Sequence, residues 1–302
     1  MDKKICRCLL FLLVLLCLSG CATSDHQSEQ FKEKEKISVV TTIYPMYDFV
    51  NKIGGDKVEV VNLVPAGIEP HDFELSTKDM ELLEQSEMLI YNGSGMEHFM
   101  DKTLKSLSNN NLTVVEASKD IEALVAEDGD TDPHTWLSIE NAKIECKTIC
   151  DALCEIDPDN KEYYTSNLEA YQASLDELKA KYTDELKGCS KDTIVVAHEA
   201  FGYLCNEYGL KQEAIEGLTA DSEPDSARMK EIIDLCREKD INVIFFEELV
   251  SPKVAMTIAD ETGATTMVLN PIEGITGEQE GQGLDYIGLM EDNLEALKTA
   301  LK

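Results

Sequence analysis

Three histidines sit where a ligand could reach them. His71 lies in Glu69-Pro70-His71-Asp72-Phe73-Glu74, His134 in Asp132-Pro133-His134-Thr135-Trp136-Leu137, and His198 in Val195-Val196-Ala197-His198-Glu199-Ala200-Phe201-Gly202. Each falls at a strand end or in a loop, the places where α/β folds gather binding groups. Neutral imidazole is a borderline-soft nitrogen donor, and three of them with one carboxylate or water make a tetrahedral shell suited to zinc. Spacing alone leaves open whether the three rings converge, and a lone histidine is more often a core or capping residue. The other two, His26 in a polar stretch and His98 in a helical one, read as incidental. His198-Glu199 continues Ala200-Phe201-Gly202, so no His-Glu-x-x-His helix exists and a zinc protease is disfavoured. A Gly-x-Ser-x-Gly elbow and a glycine-rich phosphate loop are also missing from the sequence.

These residues need a scaffold, and the chain alternates β-rich runs with helical patterns. Strands are predicted over 37–43, 57–64, 88–91 and 112–115, with helices over 46–53, 77–85, 97–107 and 139–154. A second series has strands over 193–197, 212–216, 241–246 and 265–269, with helices over 199–208, 225–239, 252–262 and 284–301. Such alternation implies α/β architecture, as two doubly wound lobes with mostly parallel sheets. Between them, Asp157-Pro158-Asp159-Asn160 supplies breaking and capping residues. Tyr164, Leu168, Tyr171, Leu175, Leu178, Tyr182 and Leu186 then recur at spacings of three and four. A helix over 161–187 would run roughly 40 Å and hold both lobes at a nearly fixed separation. Two of the three histidines precede this rod and one follows it, so a site using all three lies in the cleft between lobes. The lobes are expected over 37–156 and 189–302, with the connector over 157–188.

The 302 residues include 59 acidic and 27 basic, a formal charge of −32 that phosphate backbones would repel; nucleic acid is excluded as a partner. The acids are interleaved with Val, Ile, Leu and Tyr, which argues against disorder. Lys3, Lys4 and Arg7 precede an apolar run over 9–16 that is too short to span a bilayer. Leu18-Ser19-Gly20-Cys21 looks like a bacterial lipobox, making 1–20 a lipoprotein signal peptide, Cys21 the lipidated residue and 21–36 a flexible tether. An ordinary secretory signal or a short anchor helix are the alternatives. The lipobox reading puts the chain on the extracytoplasmic face of a bacterial cell membrane, held by lipid. Cys146, Cys150, Cys154, Cys189, Cys205 and Cys236 also occur, the first three on one helical stripe; they read as small buried hydrophobes, with a soft-metal or redox site the sharper alternative.

The three histidine segments, with Thr42-Ile43-Tyr44-Pro45, Phe245-Phe246-Glu247-Glu248 and Ser251-Pro252-Lys253, together resemble the zinc/manganese substrate-binding lipoproteins of ABC importers. The resemblance covers the chain from Ile37 to Lys302 and implies two α/β lobes joined by one long backbone helix. It implies His71, His134 and His198 as direct metal ligands. Manganese-type members carry glutamate at the third position and an aspartate as fourth ligand, so His198 marks this chain as similar to the zinc type. Asn270-Pro271-Ile272-Glu273-Gly274 resembles a form in which the glutamate coordinates, giving Glu273 as the fourth ligand, with water or Glu247 as substitutes. The implied function is a monomeric receptor, not an enzyme, that carries Zn2+ to an ABC permease and its ATPase. Affinity should fall as pH drops through the range near 6. Manganese or iron cargo, a zinc hydrolase using Glu74 or Glu199, and an adhesin stand as alternatives. One departure is plain: zinc importers often carry a long histidine-rich loop before the second ligand, where this chain has a short acidic segment over 126–132. That segment reads either as a weak cation gatherer or as a solvated turn.

Overall fold

The computed structural model describes residue 31 and residues 35–126, 129–219 and 224–302. The expected signal segment, Cys21, His26, most of the tether, and Glu127 and Asp128 lie outside them.

In the first half, β1 (Ile37–Thr41), β2 (Val58–Asn62), β3 (Met88–Tyr91) and β4 (Thr113–Glu116) form a parallel sheet in the order β2-β1-β3-β4. In the second, β5 (Thr193–Val196), β6 (Lys211–Ala214), β7 (Val243–Phe246) and β8 (Thr265–Val268) repeat the plan in the order β6-β5-β7-β8. The central strands are apolar on both faces, Thr-Ile-Val-Val in β5 being wholly buried, because helices cover both sides of a parallel sheet. In each sheet the chain leaves the first strand in one direction and returns on its other side. That reversal opens a crevice beyond the carboxyl ends of the central strands, the usual ligand position in open α/β sheets.

The helices of the first half are α1 (Tyr44–Gly54), α2 (Thr77–Gln85), α3 (Met100–Ser106) and α4 (Ile139–Ile156). α5 (Lys161–Leu186) is the connector, 26 residues and roughly 39 Å long. Its buried stripe is Tyr164, Leu168, Tyr171, Leu175, Leu178, Tyr182 and Leu186, the residues its periodicity marked. Beyond it lie α6 (Gly202–Tyr208), α7 (Ser226–Glu238), α8 (Lys253–Thr262), α9 (Gly277–Gln282) and α10 (Tyr286–Ala300). The connector touches both halves: Tyr171 Oη donates to Asp48 Oδ2 on α1 at 3.2 Å, and Tyr182 Oη donates to the Met290 carbonyl on α10 at 2.6 Å. The halves also share one hydrophobic core, in which Phe49 of α1 meets Tyr286 of α10 edge-on at 5.0 Å between ring centres.

Two helices start three residues later than the sequence pattern predicts, and both differences feed the cleft. The stretch expected as helix from Glu97 begins at Met100, because the buried Glu97 carboxylate instead accepts from the Asn92 and Gly93 amides and from Thr42 Oγ1, closing the loop after β3. The stretch expected from Glu199 begins at Gly202, since Glu199 N–H donates across to the Gly217 carbonyl and leaves 197–201 as a loop. α9 was not foreseen, although Thr276 and Gln279 form a reciprocal capping box at its start.

Candidate metal centre

The three histidines converge. His71 and His134 face each other with Nε2 atoms 3.4 Å apart, and the His198 ring centre lies 5.4 Å from that of His71 and 4.8 Å from that of His134. Glu273 joins them, and one donor atom from each of the four residues falls within 4.8 Å of every other. His98 does not join them; it packs edge-on against Phe99.

Each donor is set by its local chain. His71 sits in a single turn, Pro70–Asp72, capped by Glu69, whose carboxylate accepts the His71 amide at 3.1 Å. For His134, the carboxylate of Asp132 accepts both the backbone amide at 2.9 Å and the ring at Nδ1, 2.8 Å away, which aims Nε2 into the cleft. Trp136 holds that loop down: its Nε1 donates to the Pro271 carbonyl at 2.7 Å, tying the His134 loop to the Glu273 loop of the other half. His198 lies two residues past β5 and is gripped at both nitrogens, Nε2 by the Leu218 carbonyl at 2.9 Å and Nδ1 by Glu247 at 2.8 Å. Glu247 directly follows β7, so His198 and Glu247 flank the reversal point of the second sheet.

Glu273 is reached through a strained step. Ile272, buried and β-branched, has φ +59, a left-handed conformation costing about 1–2 kcal/mol. Asn270 holds it there: its Oδ1 accepts the Ile272 amide at 2.7 Å, while its own backbone pairs twice with the Asn293 side chain. The strain turns Glu273 inward, where it is 1% exposed. Neither carboxylate oxygen has a well-aligned hydrogen bond. What faces them are imidazole nitrogens, His134 Nε2 at 2.9 Å, His71 Nε2 at 3.6 Å and His198 Nδ1 at 3.7 Å. A buried carboxylate ringed by ring nitrogens and lacking a good hydrogen bond is the donor arrangement a cation would complete. With metal–ligand bonds of about 2.0–2.1 Å, tetrahedral zinc needs donors about 3.4 Å apart, close to the His71–His134 separation and within the range of the others.

The electrostatics follow from this crowding. Burial presses the His134 and His198 pKa values down, but Asp132 and Glu273 around the first and Glu247 and Glu273 around the second outweigh it, raising both to about 9. His71 is raised in the same way: burial opposes the shift and Glu273 dominates. For Glu273, burial favours the neutral form, yet the three imidazoles hold its carboxyl well below the usual range. The pH range near 6 expected from ordinary histidine is thereby displaced upward by the surrounding carboxylates.

The sequence offers Glu247 as a substitute ligand and Asp132 as part of the His134 motif and the acidic segment, without a role in holding a ring. Both bond to histidine rings. The signal for Asp132 was present, since an aspartate two residues before a loop histidine can accept from that histidine's amide. Of the described residues around the acidic segment, Val125 and Thr131 pair as an isolated bridge, and Ala126 N–H donates to the Asp130 carbonyl at 2.9 Å.

Residues 39–300 match the family described as ZnuA, zinc-uptake complex component A, periplasmic. The high-affinity zinc uptake system protein ZnuA of Bacillus subtilis (strain 168) is 38% identical over 315 residues, spanning 100% of this chain and 99% of its own length. The crystal structure of the Zn(II)-bound ZnuA-like domain of Streptococcus pneumoniae AdcA matches with a TM-score of 0.79 at 38% identity, over 88% of this chain and 99% of that one. The laminin-binding protein Lmb of Streptococcus agalactiae, described as bifunctional with adhesin and metal transporting activity, matches with a TM-score of 0.81 at 32% identity, over 88% of this chain and 100% of that one. Two parallel four-stranded lobes, a single connecting rod and a cleft of three histidines and a glutamate thus agree with the family match over nearly the whole described chain: the protein belongs to the ZnuA family.

Proposed function

We propose that this protein is an extracytoplasmic receptor that binds Zn2+ through His71, His134, His198 and Glu273 and delivers it to an ABC permease driven by a cytoplasmic ATPase. Residues 1–20 serve as its signal peptide, lipid on Cys21 anchors it, and 21–36 tether a monomer built from the lobes over 37–156 and 189–302 and the connector over 157–188. The observation that carries the reading is the donor set itself, three imidazoles and one carboxylate whose donor atoms all lie within 4.8 Å of one another. Glu273 is preferred over Glu247 as the fourth ligand because its oxygens lack good hydrogen bonds, whereas Glu247 is engaged with His198. Manganese favours more oxygen donors than this cleft offers. The relatives are zinc-uptake and zinc-binding proteins, so no bond is made or broken here and the hydrolase alternative falls away.

Zinc titration of the purified chain against His71→Ala, His198→Ala and Glu273→Ala tests the assignment. A large loss of affinity in each supports it, and wild-type affinity in both histidine variants defeats it. Competition between zinc and manganese decides the cargo, with preference for manganese overturning the zinc reading.

A further inference from the structure

Among the described residues outside the cleft, the cysteines of α4 form a group of metal-ligating side chains that the site does not use. α4 carries Cys146, Cys150 and Cys154 at intervals of one turn, and the structure separates their roles. Cys146 is fully buried and packs in the shared core as a small hydrophobe. Cys150 is also buried and lines the edge of that core, whereas Cys154 is part-exposed, and their sulfurs stand 3.9 Å apart. Both are free thiols.

That separation matches a known coordination shape. Tetrahedral zinc with thiolate bonds of about 2.3 Å places two sulfurs about 3.8 Å apart, whereas a linear two-thiolate ion at the same bond length would need about 4.6 Å. We propose that Cys150 and Cys154 form a second cation site, a two-thiolate clamp for a tetrahedral, thiophilic divalent ion of the zinc and cadmium class, with water completing the shell. The two thiols project from successive turns of a helix packed against the core, so the clamp needs no backbone rearrangement. Counted from Ile139 beside the cleft loop, the pair lies roughly 16–22 Å along the helix axis, so it is separate from the histidine centre. The chemistry balances without any redox partner. Each thiol releases one proton to solvent, two sulfur–metal bonds form, and the two thiolate charges neutralise the dication.

Cadmium is the probe, because thiolate-to-cadmium charge transfer absorbs in the ultraviolet while the nitrogen and oxygen donors of the cleft give no such band. The full chain with Cys6, Cys8, Cys17 and Cys21 replaced by Ser, reduced and metal-free, is titrated with Cd2+ beside the same chain carrying Cys150→Ala, Cys154→Ser, Cys189→Ser or Cys236→Ser. The expected result is a band saturating at one cadmium per chain. It should be lost in Cys150→Ala and Cys154→Ser, kept in the other two variants, and reversed by excess zinc. Cys154→Ser alters a part-exposed side chain, so its fold, followed by circular dichroism, should match the wild type. Absence of the band, its survival in Cys154→Ser, or its loss in Cys236→Ser would overturn the site. Failure of the histidine assignment would leave this readout untouched.

Discussion

On the proposed ligand assignment protons and zinc compete for the same nitrogens, and the structure sets the size of that competition. His134 and His198 are each raised to about 9, with burial opposing the shift and the neighbouring carboxylates overcoming it. At pH 7, two units lower, each ring of the metal-free protein holds its proton in about 99 of 100 molecules. Zinc needs the lone pair, so both protons must leave. A raised histidine pKa favours the protonated state, so acid weakens binding and alkali strengthens it until pH passes about 9. Below that point affinity should change about 100-fold per pH unit, tenfold for each ring. His71, shifted in the same direction, can add to this count but not reduce it. The experiment is a zinc titration against a chromophoric chelator at pH 6.5, 7.5 and 8.5, corrected for the chelator's own protonation. A parallel measurement in unbuffered solution should find two or more protons released per zinc at pH 7, and about one fewer in His198→Ala. A slope below tenfold per unit, or less than one proton released, would refute the reasoning.

Three further outcomes follow from other parts of the molecule. Burial raises Glu145 to about 8 from 4.5, so its contribution to stability is present below about pH 4.5 and lost as pH rises through about 8; Glu145→Gln should remove that loss, and denaturant unfolding at pH 5 and pH 8 would show the wild type and variant converging at the acid end. Leu175 is fully buried mid-way along the connector, and Leu175→Ala should cost about 2–5 kcal/mol in a metal-free unfolding experiment. Lys52 and Asp285 bridge the two halves at 2.6 Å but are each 34% exposed, so Lys52→Ala should cost no more than about 1 kcal/mol and the loss should shrink further in high salt.

Much of the fold was legible because its elements obey simple periods. The connector's seven apolar positions had to face one way, and the buried β5 and β7 runs could only be central strands of covered sheets. What escaped was written in side-chain-to-backbone bonds. Glu97 fits a helical pattern, yet it spends its carboxylate on loop amides, and no period reports that choice. The histidines were visible as residue types, and their resemblance to a known donor set named them as ligands. Their convergence depends on Trp136 reaching Pro271 across 135 residues, a contact that local sequence does not encode. Thr135 illustrates the same limit. Its hydroxyl lies 2.6 Å from Glu145 Oε1 and 3.1 Å from Asn92 Oδ1, yet it has one hydrogen. A protonated Glu145 resolves the count by donating to Thr135, which then donates to Asn92.

The shared core beneath the rod has a kinetic consequence. In binders whose halves swing apart, the cargo escapes when the mouth opens; here Phe49, Tyr171, Tyr182 and Tyr286 weld the halves along their common floor. The cleft is instead closed by two short segments, 64–72 and 270–275, which are stitched together where Gly67 N–H meets the Ile275 carbonyl at 2.8 Å. Release should therefore depend on parting those two segments and not on the whole molecule gaping.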